Sequence, residues 1–541
     1  MMKAKKVLAM VMTACLMAAS LAGCSNSSEK QEQSTASKEE SNQSTENAGS
    51  TAVQEEEKEP VTLTWWYPGT GEQKDTEKVN EYLNEQLKTY EGLEHVTIEL
   101  HPVTSSDYKT QLTLAFSADS QIDIVCSAYM YPVRNLLVDG LLISMEPYMD
   151  MVSELTDTLP EWLMEYGKFN GEQYMIPNYQ QARNVGYFST PQEYLDKGYI
   201  TQEQLDRLSS DKTPIAERAQ LIEDFVYAVR EGENSETKYA PLIASKYCDS
   251  YYSGWYDSIT SAFILREDSN EVVFRPFEED TKYAFSVAAD WYEKGLVPAD
   301  PTIDYHDYSY ENYLNEDAMV LGQEHTVLDA DAEKKVKSEA YGFDVAVGWM
   351  NDYIFSSYSW AAGGQSITTT CEHPEEAMLF IQAMCTERGK ELYNTVVYGL
   401  EGVHWEFVDE ANDEIRTFEY DGSQGTSSES YCAHKWLVGN SFNAYVNQGG
   451  SREWNDACLK VNENAVVSKL VGITFDYSSI QSKIDQINAI YSEYNDALFY
   501  GSKGKDWEAY YDEFVEKLKI AGVDEVTAEL QRQVDAFLAS K

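Results

Sequence analysis

The feature that most constrains this fold is an alternation of two hydrophobic periods between residues 61 and 126. Residues 61–67 form a β-branched and aromatic run that Pro68 and Gly69 close, which predicts a strand and a turn. Residues 79–90 then carry apolar side chains at steps of three and four, which predicts an amphipathic helix. A second strand, a second helix and a buried strand follow at residues 96–100, 108–116 and 122–126. This order predicts an α/β fold with a mostly parallel sheet, whose ligand groups gather at the carboxyl ends of the strands.

The first 24 residues have the pattern of an export signal. Lys3, Lys5 and Lys6 precede an apolar run, residues 7–21, that is too short for an ordinary membrane span. Residues 21–24 read Leu-Ala-Gly-Cys and resemble the bacterial lipobox, which implies that Cys24 becomes the lipidated first residue of the mature protein. Acyl chains on Cys24 would hold the protein at the outer face of the cytoplasmic membrane. A plain secretory signal with a chance cysteine is the alternative.

Residues 24–59 are predicted to be a disordered tether. They are rich in Ser, Gln, Glu, Asn and Lys and nearly free of apolar side chains, so they cannot bury enough surface to offset the entropy of ordering. A flexible chain of this length reaches roughly 30–35 Å.

The charge balance argues against several classes of partner. The chain has 41 Lys and Arg against 92 Asp and Glu, a formal net charge of −51. Nucleic-acid binding depends on clustered cations that neutralise phosphates, so no nucleic-acid partner is expected, and anionic ligands are disfavoured. The six cysteines after Cys24 show neither a CxxC pair nor metal-ligand spacing, and we expect free thiols.

Later motifs resemble a known family. Six motifs lie at residues 171–177, 185–188, 291–297, 318–322, 361–367 and 373–377. Their order resembles that in the extracellular solute-binding proteins of ABC importers, family 1, carbohydrate-associated type. Residues 398–405 resemble a lipoprotein subset with a large C-terminal extension. Ser189 departs from the pattern, because many relatives have Asn there. The resemblance implies a two-lobed, periplasmic-binding-protein-like α/β fold with a hinge between the lobes and a helical C-terminal extension.

On this resemblance the chain divides into a signal peptide, the tether and two lobes. The signal is residues 1–23. The first α/β lobe is residues 60–182 with 349–395, and the second is residues 183–348 with 396–541, which includes the C-terminal helices. Aromatic stripes in those last helices, from Ile480 to Leu498 and from Trp507 to Leu518, are interpreted as core.

Candidate ligand-binding residues lie near the expected crossings between lobes. Sugars offer apolar C–H faces to aromatic rings and hydroxyl groups to planar polar side chains. The candidates are Trp66, Tyr67, Tyr129, Tyr131, Asn178, Tyr179, Arg183, Trp255, Trp349, Trp360, Glu401 and Trp405. Packing is the alternative for each aromatic residue, and a hinge salt bridge is the alternative for Arg183. Since Trp65 and Trp66 alternate faces on a strand, only one of them can face a cleft.

Enzyme signatures are scarce. The sequence has no GxSxG, HExxH or Walker motif, and no cofactor is expected. Residues 300–304 and 409–413 are acidic but lack EF-hand spacing, so no metal site is predicted. The leading hypothesis is a lipid-anchored, monomeric, extracellular solute-binding protein that captures an oligosaccharide by hinge closure for import through an ABC permease. The alternatives are a surface glycoside hydrolase or lyase with an Asp/Glu pair, and the same fold binding a peptide or polyamine.

Overall fold

A computed structural model describes most of the chain after residue 57. The described residues are 58–128, 130–181, 185–210, 213–240, 256–260, 262–266, 269–300, 320–326, 328–349, 363–418, 431–447, 452–464 and 467–541. Lys58–Lys541 is one compact unit.

The first sheet confirms the alternation predicted between residues 61 and 126. Strand Val61–Gly69 pairs in parallel with Val96–Thr104 on one side and with Ile124–Ser127 on the other. Helices Thr76–Leu87 and Tyr108–Ser117 connect these strands. Strand Gly364–Ile367 then pairs antiparallel with Ile124–Ser127, and the short strand Ile176–Pro177 completes the sheet. The sheet is therefore mixed, because the chain returns to it after crossing to another part of the molecule.

Two asparagines cover the exposed edge of the first sheet. Asn84 accepts a hydrogen bond from the backbone N–H of Ile98 at 2.7 Å and donates one to its carbonyl oxygen at 2.9 Å. Asn80 accepts one from the backbone N–H of Leu100 at 2.9 Å. These side chains occupy polar groups that would otherwise be open to pairing with another strand.

A second part of the molecule has antiparallel sheets. Strand Val185–Pro191 lies between Gly322–Thr326 and Val345–Trp349, and Phe263–Arg266 lies between Tyr256–Thr260 and Val272–Phe274. The helices around them are Gln192–Asp196, Gln202–Ser209, Ile215–Glu233, Glu279–Glu293, Ala330–Tyr341, Gln481–Phe499, Trp507–Ala521 and Val523–Leu538. Local signals set several ends: Thr201 and Gln204 form a capping box, and Gly522, at φ 93°, separates the last two helices.

The remaining elements belong to the first part of the chain and to the segment after the return. Helices are Val133–Val138, Ser153–Thr158, Glu161–Met164, Pro374–Cys385, Lys390–Tyr398 and Arg452–Asn464. Strands Lys168–Phe169 and Glu172–Gln173 form a hairpin, and Trp405–Asp409, Glu414–Thr417 and Val446–Asn447 form a small sheet.

Two separate hydrophobic cores define two lobes. The first core is built from residues between 61 and 176 and between 367 and 445, with Val471 added. The second is built from residues between 188 and 346 and between 470 and 534. Among the described residues the chain therefore passes between the cores three times, and the fold is the expected two-lobed α/β arrangement.

The cores divide the C-terminal part of the chain differently from the expected boundary at residue 396. Val396, Val397, Ile415 and Leu437 are buried in the first core, not the second. Helix Lys390–Tyr398 packs on the first lobe, and the chain that follows it stays there. The aromatic stripes of the last helices do lie in the second core, as predicted, with Ile484, Tyr494 and Leu498 among their buried members. Periodicity identifies a buried face but not the lobe that buries it.

Arg134 of the first lobe reaches the segment that follows the third crossing. Its guanidinium donates to the carbonyl oxygen of Ile473 and to the hydroxyl of Tyr477, both at 3.3 Å, and lies 5.4 Å from the centre of the Phe475 ring. Since Ile473 and Phe475 are buried in the second core, Arg134 links the two lobes beside the crossing.

Candidate functional site

The carboxyl edge of the first sheet brings several chain segments together. Strands Val61–Gly69 and Ile124–Ser127 run in parallel and end at this edge, and Gly364–Ile367 begins there because it runs antiparallel. The first crossing leaves the sheet from the same place, after Pro177. In α/β folds, ligands bind at this end of the strands, so the residues exposed here are the first candidates for a site.

The backbone at this edge has no room for side chains at Gly364. A Cβ atom there would lie 2.3 Å from the carbonyl oxygen of Ile176 and 2.8 Å from the Cα of Pro177. Gly364 is therefore required because strands Gly364–Ile367 and Ile176–Pro177 approach each other too closely for a side chain.

Residues 431–447, which we call the covering segment, lie across this edge. The carbonyl oxygen of Leu437 accepts hydrogen bonds from Gln365 Nε2 at 2.9 Å and from the Cys126 thiol at 3.0 Å. The backbone N–H of Ser441 donates to the carbonyl oxygen of Tyr179 at 2.7 Å. Within the covering segment, Leu437 and Val438 are buried. The covering segment is thus fixed to the strands and to the first crossing at the same time.

The covering segment leaves polar and aromatic side chains partly exposed above the sheet edge. These are His434, Lys435, Trp436 and Phe442. The Lys435 ammonium lies 4.5 Å from the centre of the Trp436 ring. Phe442 packs edge to face on Tyr179 of the first crossing, with ring centres 4.9 Å apart. The result is a group of rings and hydrogen-bonding groups on a rigid base.

Helix Arg452–Asn464 packs beside this group and holds the crossing. Asn462 donates to the carbonyl oxygen of Gln180 at 2.9 Å, and the Cys458 thiol donates to Gln181 Oε1 at 3.6 Å. Trp454 and Phe442 pack against Cys458 in a small apolar cluster. Burial raises the pKa of Cys458 to about 12, so the thiol is neutral at physiological pH.

Of the predicted site residues, Tyr179 lies in this group and is partly exposed. Burial raises the pKa of its hydroxyl, and Asn462 is its side-chain hydrogen-bond partner. Asn178, next to it, is fully buried. It accepts from Gln365 Nε2 at 2.9 Å and donates to the carbonyl oxygen of Trp436 at 3.2 Å, so both ends of its amide are engaged within the protein. Asn178 therefore positions the covering segment, and its amide has its partners within the protein.

Three predicted aromatic contacts are core residues instead. Tyr67 is 2% exposed and packs against Trp65, Tyr131 is 2% exposed and donates to Asp139 at 2.7 Å, and Trp405 is 6% exposed and donates to the carbonyl oxygen of Gly399 at 3.1 Å. The flanking strands and loops close over these rings because their hydroxyl or indole groups find partners inside the first lobe. Their rings are not open to stack on a ligand.

Trp66 and Glu401 are accessible but lie in other surroundings. Trp65 is buried and Trp66 is partly exposed, as strand alternation predicts. Trp66 stacks on His101 of the neighbouring strand, with ring centres 5.0 Å apart and planes 9° apart. Glu401 is exposed in the turn that precedes Trp405. The other predicted positions, Tyr129, Arg183, Trp255, Trp360 and Cys24, lie outside the described residues.

Trp349 is the last residue of strand Val345–Trp349 and pairs with Tyr187, and its side chain lies outside the described part of the chain.

Near Glu401, the buried His404 accepts at Nδ1 from the Leu400 N–H, so its Nε2–H points to Asp75 at 3.2 Å. Asp75 also pairs with Lys78 at 2.5 Å. Lys78 first, and then His404, lower the pKa of Asp75 against the opposing effect of burial.

Sequence reasoning missed Lys435, Trp436, Phe442 and Trp454. The only local hint of a ligand site in their sequence is a tryptophan between a lysine and a leucine, at residues 435–437, and such a pattern is also common in ordinary packing. Only the contact of the covering segment with the sheet edge, more than 250 residues away in sequence from Asn178, brings them to the site.

The covering segment contains a partly buried lysine next to a histidine, whereas the chain as a whole is strongly acidic. Burial lowers the pKa of Lys435, and burial together with the Lys435 charge lowers the pKa of His434, which leaves the imidazole neutral at pH 7.

No group of three or more His, Cys, Asp or Glu side chains suited to a metal occurs among the described residues. Likewise, no helix in the described part of the chain has the length and apolar character to span a membrane.

Two lobes with separate cores, joined by crossings that lie at the carboxyl edge of a sheet, define the fold of the extracellular solute-binding proteins. The chain is similar to a carbohydrate ABC transporter substrate-binding protein from Streptococcus pneumoniae, with 26% identity over 278 residues. That match spans 51% of this chain and 54% of the relative, so the chain matches about half the length of this curated protein.

Solved structures show the same fold. The N-glycan transport solute binding protein NgtS from Streptococcus pneumoniae aligns with a TM-score of 0.67 and 18% identity, over 89% of this chain and 99% of that one. Its complex with Man1GlcNAc aligns with a TM-score of 0.59 and 18% identity, over 88% and 100% of the two chains. Residues 469–539, which contain the last helices, match a family described as a domain of unknown function, DUF3502.

Proposed function

We propose that this protein is a non-enzymatic, monomeric solute-binding protein that captures an oligosaccharide and delivers it to an ABC permease. The observation that carries the proposal is the group of Tyr179, Lys435, Trp436 and Phe442 above the carboxyl edge of the first sheet. Aromatic faces and hydrogen-bond donors on a fixed base suit the C–H faces and hydroxyl groups of a sugar. The likeness to a carbohydrate-binding relative and to an N-glycan transport protein supports the same ligand class.

The mechanism is capture followed by closure. The crossings act as the hinge, and a ligand that contacts both lobes favours the closed state by the free energy of the contacts made only there. The first lobe contributes the covering segment and Tyr179. Trp255, Trp349, Trp360 and Arg183 are proposed to contribute from the second lobe and from the crossings. Tyr129, which follows the strand Ile124–Ser127 in sequence, is proposed as a further ligand contact.

The export signal supports a position outside the cytoplasm. We propose that residues 1–23 are removed, that Cys24 is lipidated, and that residues 24–59 tether the binding unit to the outer face of the membrane. Mass spectrometry of the membrane-extracted protein would find a mature chain that begins at Cys24 and carries acyl groups. A mature chain that begins elsewhere, or that carries no lipid, would contradict this part of the proposal.

The function is tested by measuring binding and turnover together. Purified protein is titrated with a glycan panel while tryptophan fluorescence, melting temperature and reducing-end release are recorded. Saturable binding with a raised melting temperature and no new reducing ends supports a binder. Product that accumulates beyond the amount of protein would identify a hydrolase or lyase, and peptide or polyamine binding in place of glycan binding would change the ligand class.

The site is tested with Trp436→Ala and a matched control, Trp507→Ala. Trp507 is also partly buried, but it packs against the second core on a C-terminal helix. Loss of a stacked ring should weaken glycan binding about 10-fold or more, as truncation of an aromatic contact typically does at a binding site. The control should bind like the wild type. Equal affinities for the two variants would remove Trp436 from the site.

A further inference from the structure

Lys435 is held on a rigid base at the edge of the first sheet. It begins a single turn, Lys435–Leu437, whose carbonyl oxygens are all bonded to the first lobe. Tyr393 donates to the Lys435 carbonyl at 2.5 Å, Asn178 donates to that of Trp436, and Gln365 donates to that of Leu437. The backbone from Lys435 to Leu437 is therefore fixed, which restricts the positions open to the lysine side chain.

The Lys435 ammonium has no carboxylate partner in the described part of the chain. Its Nζ faces the Trp436 ring, and no Asp or Glu oxygen among the described residues lies within 4.0 Å. Other partly buried lysines pair with acids: Lys168 with Glu165 at 2.5 Å and Lys390 with Asp413 at 2.7 Å. In a chain with 92 Asp and Glu, the unpaired state of this lysine is a local exception.

The two described titratable groups that interact with Lys435, His434 and Cys458, do not supply a negative charge. His434 is neutral because burial and the neighbouring ammonium lower its pKa, and Cys458 is a neutral thiol. An ammonium that is partly removed from water without a counter-ion is unfavourable, and an incoming anion offsets that cost. Sugar hydroxyl groups can accept its hydrogen bonds but do not balance its charge. The net charge of the chain opposes anionic ligands at long range, but salt screens that effect beyond about 8–10 Å, whereas Lys435 acts at contact.

We propose that Lys435, lying against Trp436, binds the carboxylate of an acidic sugar residue in the oligosaccharide ligand. This inference rests on the proposed function and narrows its ligand class to glycans that carry a uronic or sialic acid. Trp436 holds the ammonium in place by the cation–π contact, and the three ammonium protons provide the charge-assisted hydrogen bonds.

The test uses glycan pairs that differ only in charge. The probes are uronate oligosaccharides with their methyl esters, and sialylated N-glycans with their asialo forms, titrated by calorimetry at low and moderate salt. For wild-type protein, at least one acidic form should bind about 10- to 100-fold tighter than its neutral partner, the range expected for a hydrogen bond to a charged group. The preference should fall as salt rises.

Lys435→Gln should abolish that preference, Lys435→Arg should retain it, and Lys503→Gln is the matched control. Lys503 makes the same kind of contact, 4.3 Å from the centre of the Tyr510 ring, but lies among the C-terminal helices. If no acidic form is preferred, or if Lys435→Gln keeps the preference, the inference is wrong. Neutral glycans that still bind would then leave the proposed function intact, whereas a failure of all glycans to bind would refute both.

Melting temperature gives a second readout. Because the cost of partly desolvating the ammonium opposes the gain from its contact with the Trp436 ring, the unliganded Lys435→Gln protein should melt close to the wild-type temperature. A fall of several degrees would mean that Lys435 is paired within the protein, which contradicts its assignment to a ligand.

Discussion

Removing the Asn178 amide should uncouple the covering segment from the first sheet. Asn178 is fully buried, and Asn178→Ala deletes the acceptor of Gln365 Nε2 and the donor to the Trp436 carbonyl. Two such hydrogen bonds contribute about 1 kcal/mol each, and truncation of a buried side chain adds about 1–2 kcal/mol for lost packing. The expected loss is therefore about 3–4 kcal/mol in the free energy of unfolding of the first lobe.

Urea unfolding followed by tryptophan fluorescence measures this loss, and hydrogen exchange locates it. Faster exchange is expected in the strands at the carboxyl edge and in the covering segment, with the last helices unchanged. Glycan affinity should fall as well, because Lys435 and Trp436 lose their fixed base. In Trp436→Ala, by contrast, affinity should fall while first-lobe stability stays near the wild type.

Asn412→Ala is the matched control for Asn178→Ala. Asn412 is exposed, and its side chain bonds only to Asp409 among the described residues, so its truncation should cost less than about 0.5 kcal/mol. An Asn178→Ala protein that unfolds at the same urea concentration as this control would refute the assignment of Asn178 as a positioning residue.

Three further predictions concern the charge pair, the crossing and the lobe contact. The pKa of Asp75 is lowered in the folded state, so its contribution to stability is present above the unfolded-state pKa and is lost as pH falls through the lowered value. Asp75→Asn should lower the melting temperature at pH 7, with a difference that shrinks in acid; a difference independent of pH would contradict this. Gly364→Ala should destabilise the first lobe, whereas Gly69→Ala, whose Cβ would meet no atom within 4 Å, should be nearly neutral in the same urea assay. Arg134→Gln should broaden the distribution of lobe separations in small-angle scattering, and an unchanged profile with and without ligand would remove Arg134 from the hinge.

The sequence predicted the three parallel strands of the first sheet and the helices between them because both signals are local, but it did not predict the two antiparallel pairings that make the sheet mixed. Residues 61–126 alternate between the period of a strand and that of a helix, and each period depends only on near neighbours in the chain. The same holds for the stripes of the last helices, which are buried in the second core as expected. The two-lobed fold followed from a resemblance in the order of short motifs, which survives where identity is low.

Tertiary structure decided which lobe each C-terminal segment joins. The expected boundary assigns residues 396–541 to the second lobe, whereas Ile415 and Leu437 are buried in the first core. The different exposures of Tyr67 and Tyr179 were equally beyond local pattern. Tyr67 and Tyr179 are both tyrosines beside strand ends, yet one is buried in the first core and the other is partly exposed at the crossing.

The composition of the candidate site depended most on the fold. Asn178 was predicted as a ligand contact from its residue type and place, but its amide is engaged by Gln365 and by the Trp436 carbonyl. Lys435 and Trp436 gave no distinctive local signal. The sequence by itself determined where the first strands and helices and the last helices occur, because those depend on neighbouring residues. Which side chains meet above the sheet edge was decided only by contacts between segments hundreds of residues apart.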